Sequence, residues 1–208
     1  MFQVSQRPLL RFAVTVIALL PTCFLAWYFL GAFVAAPAVM MAKAVLGAWL
    51  PELIDSVYLQ GTELMVMSTL GEVDGVFLPA QAAGNQLAYP VDTRVLSYSV
   101  PFFCALFFAT PRDEGWGELA WSLLVLWVLM GIGLVATTLK NLMLGLGTRF
   151  LDTAGVPPPD AIALVYQFST LMVPPLTPVI LWAYTSRDND AFKALLPEAL
   201  LHRAAPRD

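Results

Sequence analysis

The sequence predicts a mainly α-helical integral membrane protein with about four transmembrane helices and a small antiparallel β cap between the first and second. Three observations predict it. Hydrophobic residues make up 59% of the 208-residue chain and charged residues only 12%, about half of the ~25% usual in a soluble domain. Four apolar runs stand apart, each bounded by charged residues. The long stretch between the first and second runs carries strand-like alternation rather than a fourfold helical repeat.

So few charges cannot cover a water-exposed surface of this size, and the remaining apolar surface must face lipid. A net charge of −4, with no cluster of Lys and Arg, excludes binding to a nucleic-acid backbone. Cys23 and Cys104 both lie inside apolar runs, so no disulfide framework is expected. The length suits one membrane domain over 1–208.

The first span is expected at about 12–36. The apolar run continues past Pro37, so an interfacial helix is expected at 37–50, ended by Pro51. A secretory signal has an apolar core of only about 7–15 residues. The longer run here reads as an uncleaved anchor. The second span is expected at 95–111 between Arg94 and Arg112, and the third at 119–139, closed by Lys140. The fourth, 161–184, contains Pro174, Pro175 and Pro178. Each proline lacks an N–H and crowds the carbonyl four residues earlier, so a break is expected there, with the Ser169 and Thr170 hydroxyls placed to satisfy freed carbonyls.

Orientation follows from the basic residues. Arg7, Arg11, Arg112, Arg187, Lys193, Arg203 and Arg207 fall on one side; Lys43, Arg94, Lys140 and Arg149 fall on the other. Both termini are therefore expected in the cytoplasm, and the 42–94 segment outside. Within it a β-rich cap is expected at 56–89. Strands are expected at 57–59 and 63–70 around a turn at Gln60-Gly61, with Thr62, Leu64, Val66 and Ser68 on one face and Glu63, Met65, Met67 and Thr69 on the other. A short amphipathic helix is expected at 191–201, with Phe192, Leu195, Leu196 and Leu200 on one side.

Chemistry-bearing residues are sparse. The one histidine, His202, stands in the tail, and no set of three or four His, Cys or carboxylate ligands converges, so no metal or cofactor is expected. No catalytic residue is assigned. Cys104 sits among Phe102, Phe103, Phe107 and Phe108, the reverse of the electropositive setting that activates a thiol. Asp92, Arg94, Lys140, Asn141 and Arg149 form the candidate partner-facing set or polar pocket at the outer ends of the spans. Span-end charges otherwise serve as ordinary anchors.

The layout over 8–111 resembles a known family. One N-terminal span leads through the 36–50 helix to Val57-Tyr58-Leu59-Gln60-Gly61-Thr62-Glu63-Leu64-Met65-Val66. Then come Ala88-Tyr89-Pro90 and Tyr98-Ser99-Val100-Pro101-Phe102-Phe103-Cys104-Ala105-Leu106. This is similar to the exosortase and archaeosortase membrane proteins, and closer to the small exosortase-associated membrane proteins. Exosortases are regarded as transpeptidases with an outward Cys, an Arg and a His. Here Lys140-Asn141-Leu142 stands where an Asn- and Arg-containing helix is expected, without the Arg, and no His follows on the outer side. The resemblance therefore implies a non-catalytic accessory protein of the bacterial inner membrane, serving protein sorting and binding a membrane-protein partner or a substrate's helix. The alternatives are a membrane thiol peptidase or transpeptidase using Cys104, and a small subunit of a transport or electron-transfer complex.

Overall fold

The computed structural model describes residues 6–112 and 115–193. A single 44-residue helix, α1 (Gln6–Trp49), opens the chain. Next come β1 (Ile54–Gln60), β2 (Glu63–Ser68), β3 (Leu70–Val73), β4 (Val76–Pro79), a one-turn α2 (Ala80–Ala83) and β5 (Ala88–Asp92). The helical remainder is α3 (Arg94–Ser97), α4 (Ser99–Ala109), α5 (Trp116–Leu146), α6 (Thr148–Leu151), α7 (Pro159–Gln167), α8 (Val173–Ser186) and α9 (Asp190–Lys193). A π-helical turn, Phe168–Met172, joins α7 to α8. Three stretches are long and apolar enough to cross a bilayer: Leu10–Trp49, Trp116–Leu146 and Pro159–Ser186; Arg94–Ala109 is apolar but shorter.

No break separates the first span from the helix expected at 37–50. Both prolines of α1 lie within one continuous helix, and a side-chain donor meets a carbonyl in the turn before each. A proline opens the turn before it by removing an N–H and displacing a carbonyl. Three residues before Pro37, the Val34 carbonyl accepts the indole N–H of Trp127 at 3.0 Å. Three residues before Pro21, the Ala18 carbonyl accepts the Thr22 hydroxyl at 3.3 Å. The third apolar helix likewise overruns its expected end. α5 continues through Lys140 and Asn141 because Leu142 and Leu146 beyond them are buried, and it stops where Gly147 takes a positive φ.

The cap holds two small antiparallel sheets, one of three strands in the order β1-β2-β5 and one pairing β3 with β4. Gly61, with φ +61°, makes the two-residue turn between β1 and β2. The register places Leu64 opposite both Leu59 and Val91, and Val66 opposite both Val57 and Tyr89. Along β2 the buried side is Leu64, Val66 and Ser68, the face the alternation gives. It packs on a stripe of α1 at helical spacing: Ala35, Ala38, Ala42, Leu46 and Leu50 are each no more than 1% exposed. Leu134, Leu142 and Leu146 of α5 complete this core. The cap and the cap-side halves of α1 and α5 therefore share one hydrophobic interior.

The β3–β4 hairpin is different. Asp74 and Gly75 both have positive φ, the geometry of a tight hairpin turn, and Val73, Val76 and Leu78 remain exposed. Only Leu70 and Phe77 of this pair reach the main core. The Asn85 side chain holds it, accepting the Glu72 N–H at 3.0 Å and donating to the Glu72 carbonyl at 2.8 Å.

At the fourth apolar stretch the helix deviates where the prolines place it. Pro174 and Pro175 begin α8 directly after the π turn. The Val173 N–H reaches back five residues to the Phe168 carbonyl, and the Thr170 hydroxyl donates to the Tyr166 carbonyl at 2.7 Å. The tail helix expected at 191–201 lies outside the described residues beyond Lys193, as does His202.

Candidate functional site

The five polar residues at the cap-side helix ends divide into three groups. Asp92 and Arg94 are adjacent at the end of β5, and the Asp92 carboxylate accepts the Arg94 backbone N–H at 2.9 Å. This bond turns the chain from strand into α3. The Arg94 guanidinium lies over the Tyr28 ring of α1, 5.5 Å from its centroid. Asn141 belongs with them through the strand: its amide donates to the Pro90 carbonyl at 3.2 Å. Pro90 has no N–H for a ladder, so α5 covers this edge of the sheet with a side-chain bond.

Lys140, next along α5, turns to the other side. Its ammonium lies 4.7 Å from the centroid of Tyr166 on α7. Arg149 sits on α6, exposed, with its carbonyl accepting from Thr153 at 3.1 Å. Within the set, Arg94, Asn141 and Lys140 each touch a different element, α1, β5 and α7. No two of its charged side chains pair with each other among the described residues.

Residues that sequence reasoning did not single out give the tightest contacts. Tyr89 lays its ring on α5 at Gly145, where an added Cβ would meet the ring at 2.3 Å. Burial pushes the Tyr89 phenol's pKa upward, and the charge of Glu72 adds to the shift. Four tryptophans tie separate elements together. Trp27 donates to Ser97 at 3.0 Å, Trp49 to the Gly155 carbonyl at 3.2 Å, Trp127 to Val34 and Trp182 to Thr110 at 2.8 Å. Their sequence signal is only that six Trp occur in 208 residues; the partners are distant in the chain.

At the opposite end, Arg112 forms a clamp. It pairs with Glu118, donates to the Thr185 carbonyl at 3.0 Å and to Ser186 Oγ at 2.6 Å, and stacks on Phe107 at 4.1 Å. Burial lowers its pKa and the Glu118 carboxylate works in the opposite direction. Asn189 donates to the adjoining Pro111 carbonyl at 2.7 Å. The ends of α4, α5 and α8 are joined here by a planar five-donor side chain, a role that a lysine's point charge does not reproduce.

Cys104 packs with Leu119, Leu123, Leu181 and Trp182 around Phe103 and Phe107. Cys23 and Cys104 are free thiols. Among the described residues no three His, Cys, Asp or Glu side chains gather as a metal site. A thiolate is favoured by a neighbouring cation or base; the cluster around Cys104 is an apolar one.

An exposed apolar ridge lies outside these contacts. Leu25, Phe29 and Phe33 form a ridge along α1 at fourfold spacing, with Phe29 75% and Phe33 78% exposed. The most apolar window of α1 is 0% buried within the protein, against 44% for that of α5.

No curated protein and no solved structure matches this chain. A family model does, over residues 6–189: that of the exosortase H-associated membrane protein. With the match covering every described element from α1 to α8, the chain belongs to the exosortase H-associated membrane protein family.

Proposed function

We propose that this protein is a non-catalytic accessory subunit of an exosortase-type protein-sorting system, set in the bacterial inner membrane with both termini in the cytoplasm. In this reading it crosses the bilayer four times. Helix lengths between the two sets of charged residues support the count. At 1.5 Å per residue, Arg94 to Arg112 is about 27 Å, Glu118 to Lys140 about 33 Å, and Tyr166 to Arg187 about 31 Å. Arg11 to Tyr28 adds about 25 Å. All four approach the ~30 Å hydrocarbon thickness. Arg94 on Tyr28 and Lys140 on Tyr166 have the cation–aromatic composition of an interfacial belt. Asp92, Arg94 and Arg149, exposed at this level, belong to the partner-facing side, while Asn141 holds the cap in place.

The observation that carries the reading is the exposed ridge of Leu25, Phe29 and Phe33, on the side of α1 away from the Trp27 contact with Ser97. At the level of the Tyr28 belt and just past it, Phe29 and Phe33 gain from burial against a partner, and large aromatic knobs supply packing area. The partner is the exosortase or the apolar helix of its substrate. Co-expression with the exosortase and co-purification in mild detergent test this. The Phe29→Ala, Phe33→Ala double variant is expected to reach the membrane at normal level and to lose the exosortase from the eluate. Undiminished co-purification by that variant contradicts the ridge as the docking face.

A further inference from the structure

An arginine side chain has five N–H donors, and four of those of Arg112 bind within the chain. Nη1 donates to Glu118 and to the Thr185 carbonyl, and Nη2 to Ser186 Oγ and Thr185 Oγ1. The side chain is 9% exposed, with Phe107 against its plane. The fifth donor, Nε–H, is buried and has no acceptor among the described residues. A buried donor is costly to leave unpaired, and such a group is ordinarily met by a water, an ion or a ligand. Arg112 lines an open recess with Phe107, Phe108, Thr110, Gly115 and Trp116. Its Cδ, one bond from Nε, lies 3.3 Å from the position a Cβ would take at Gly115. Gly115 is the residue from which α5 starts, and no side chain caps that start. The N–H groups of a helix's first turn lack intrahelical partners and carry the positive end of its dipole. Nε–H and the first turn of α5 thus stand side by side, and donors in that arrangement suit a phosphate oxygen.

We propose that this recess binds the phosphodiester of a zwitterionic membrane phospholipid, phosphatidylethanolamine. Position selects a lipid over free phosphate. Arg112 and Glu118 mark the cytoplasmic end of the spans in the reading above, which is the level of the headgroups. Trp116 is 79% and Phe108 51% exposed. These walls offer apolar area to the glycerol and upper chains of a lipid, and a tryptophan is at home at that depth. Charge selects the headgroup. Glu118 already balances Arg112, and Asp113 and Glu114 lie between Arg112 and Gly115 in the chain. A ligand of net negative charge is disfavoured beside three carboxylates, whereas an ethanolamine ammonium is attracted to them. The Glu118 side chain, 49% exposed, is open to it. The proposal rests on the membrane boundary drawn at Arg112 and Glu118, and not on the exosortase role.

The test uses the full-length protein, expressed without an exosortase and held in a phosphate-free maltoside detergent. Arginine labelled with nitrogen-15 at Nε gives an Nε–H signal for Arg112, assigned by its absence from Arg112→Lys. Titration with short-chain phosphatidylethanolamine is expected to shift that signal saturably and to slow its exchange with water. Short-chain phosphatidylglycerol is expected to bind severalfold more weakly, and inorganic phosphate to leave the signal unmoved. Gly117→Asp places a carboxylate in the first turn of α5, where no described atom lies within 4 Å of an added Cβ. It favours the helix start, repels the phosphate, and is expected to weaken lipid binding roughly fivefold without lowering the thermal midpoint. The uncharged Gly117→Asn is expected to bind nearly as the native protein does. An Nε–H signal unmoved at saturating lipid assigns that donor to a trapped water and overturns the proposal. An equal response to inorganic phosphate overturns it too, as does tighter binding of phosphatidylglycerol or native affinity in Gly117→Asp. Each of these outcomes leaves docking at the α1 ridge untouched.

Discussion

The two halves of α1 are one continuous helix with opposite surroundings. From Ala35 to Leu50 it carries a buried stripe under the sheet and α5. From Leu10 to Phe33 it exposes Leu10, Val14, Ile17, Leu25, Phe29 and Phe33. Composition hardly distinguishes them, since both are apolar. Small residues do: Ala35, Ala38 and Ala42 allow the cap and α5 to approach closely, whereas the N-terminal half offers Leu25, Phe29 and Phe33 at the corresponding spacing. An apolar helix in a membrane is thus defined by what its side chains permit to touch it. One half builds the core under the cap; the other packs one side on α3, α4 and α8, with Trp27 on Ser97 and Phe12 on Trp182, and leaves the Leu25, Phe29 and Phe33 side to lipid or to another chain.

The largest effect expected follows directly. Leu46→Ala, in the buried half, should cost about 2–5 kcal/mol through lost burial and a residual cavity. Leu25→Ala, in the exposed half, should stay within about 0.5 kcal/mol. Paired denaturation curves in one detergent measure the difference; equal losses erase the distinction between the halves.

A second variant asks whether the cap is held by close approach. Gly145→Val puts side-chain atoms where the Tyr89 ring lies, at an expected cost of about 1–3 kcal/mol. Limited proteolysis should then open the cap while the α5 helix remains inserted. A cap as resistant as the native one means that Tyr89 has room to move.

A third change probes the opposite end. Arg112→Lys keeps the charge but removes the forked contacts to Glu118, Thr185 and Ser186, with an expected loss of about 1–3 kcal/mol. The loss should fall on α8, far from the cap, and amide exchange can localise it. The smallest effect is expected at Cys104. Cys104→Ser should leave sorting intact, and the native thiol should alkylate slowly at neutral pH because no described neighbour stabilises a thiolate. Rapid alkylation and loss of sorting restore the thiol-enzyme alternative.

Much of this architecture can be read from local patterns. The apolar runs, the alternation from Glu63 to Ser68, the Gln60-Gly61 turn and the proline-marked disturbance before Pro174 depend on nearby residues alone. Pro37 does not end its helix, because Ala38, Val39, Ala42 and Leu46 beyond it are buried in the core under the cap. Lys140 does not end α5, because the following turns pack into the cap. Charges mark where a helix meets water, and such a boundary coincides with a helix end only when nothing beyond it remains to be buried. The candidate polar set was legible as span-end residues, but its division into three groups was not. Adjacent residues 140 and 141 point to Tyr166 and Pro90, and only tertiary packing separates them.

The central claim, that the exposed half of α1 is the docking face for an exosortase, is tested most directly by photo-cross-linking in intact cells. Benzoylphenylalanine at Phe29 or Phe33 should yield an adduct with the co-expressed exosortase. The same group at Val165, on α7, should yield none. Adducts to the exosortase at Val165 but not at Phe29 or Phe33, in proteins that fold and insert normally, contradict the account.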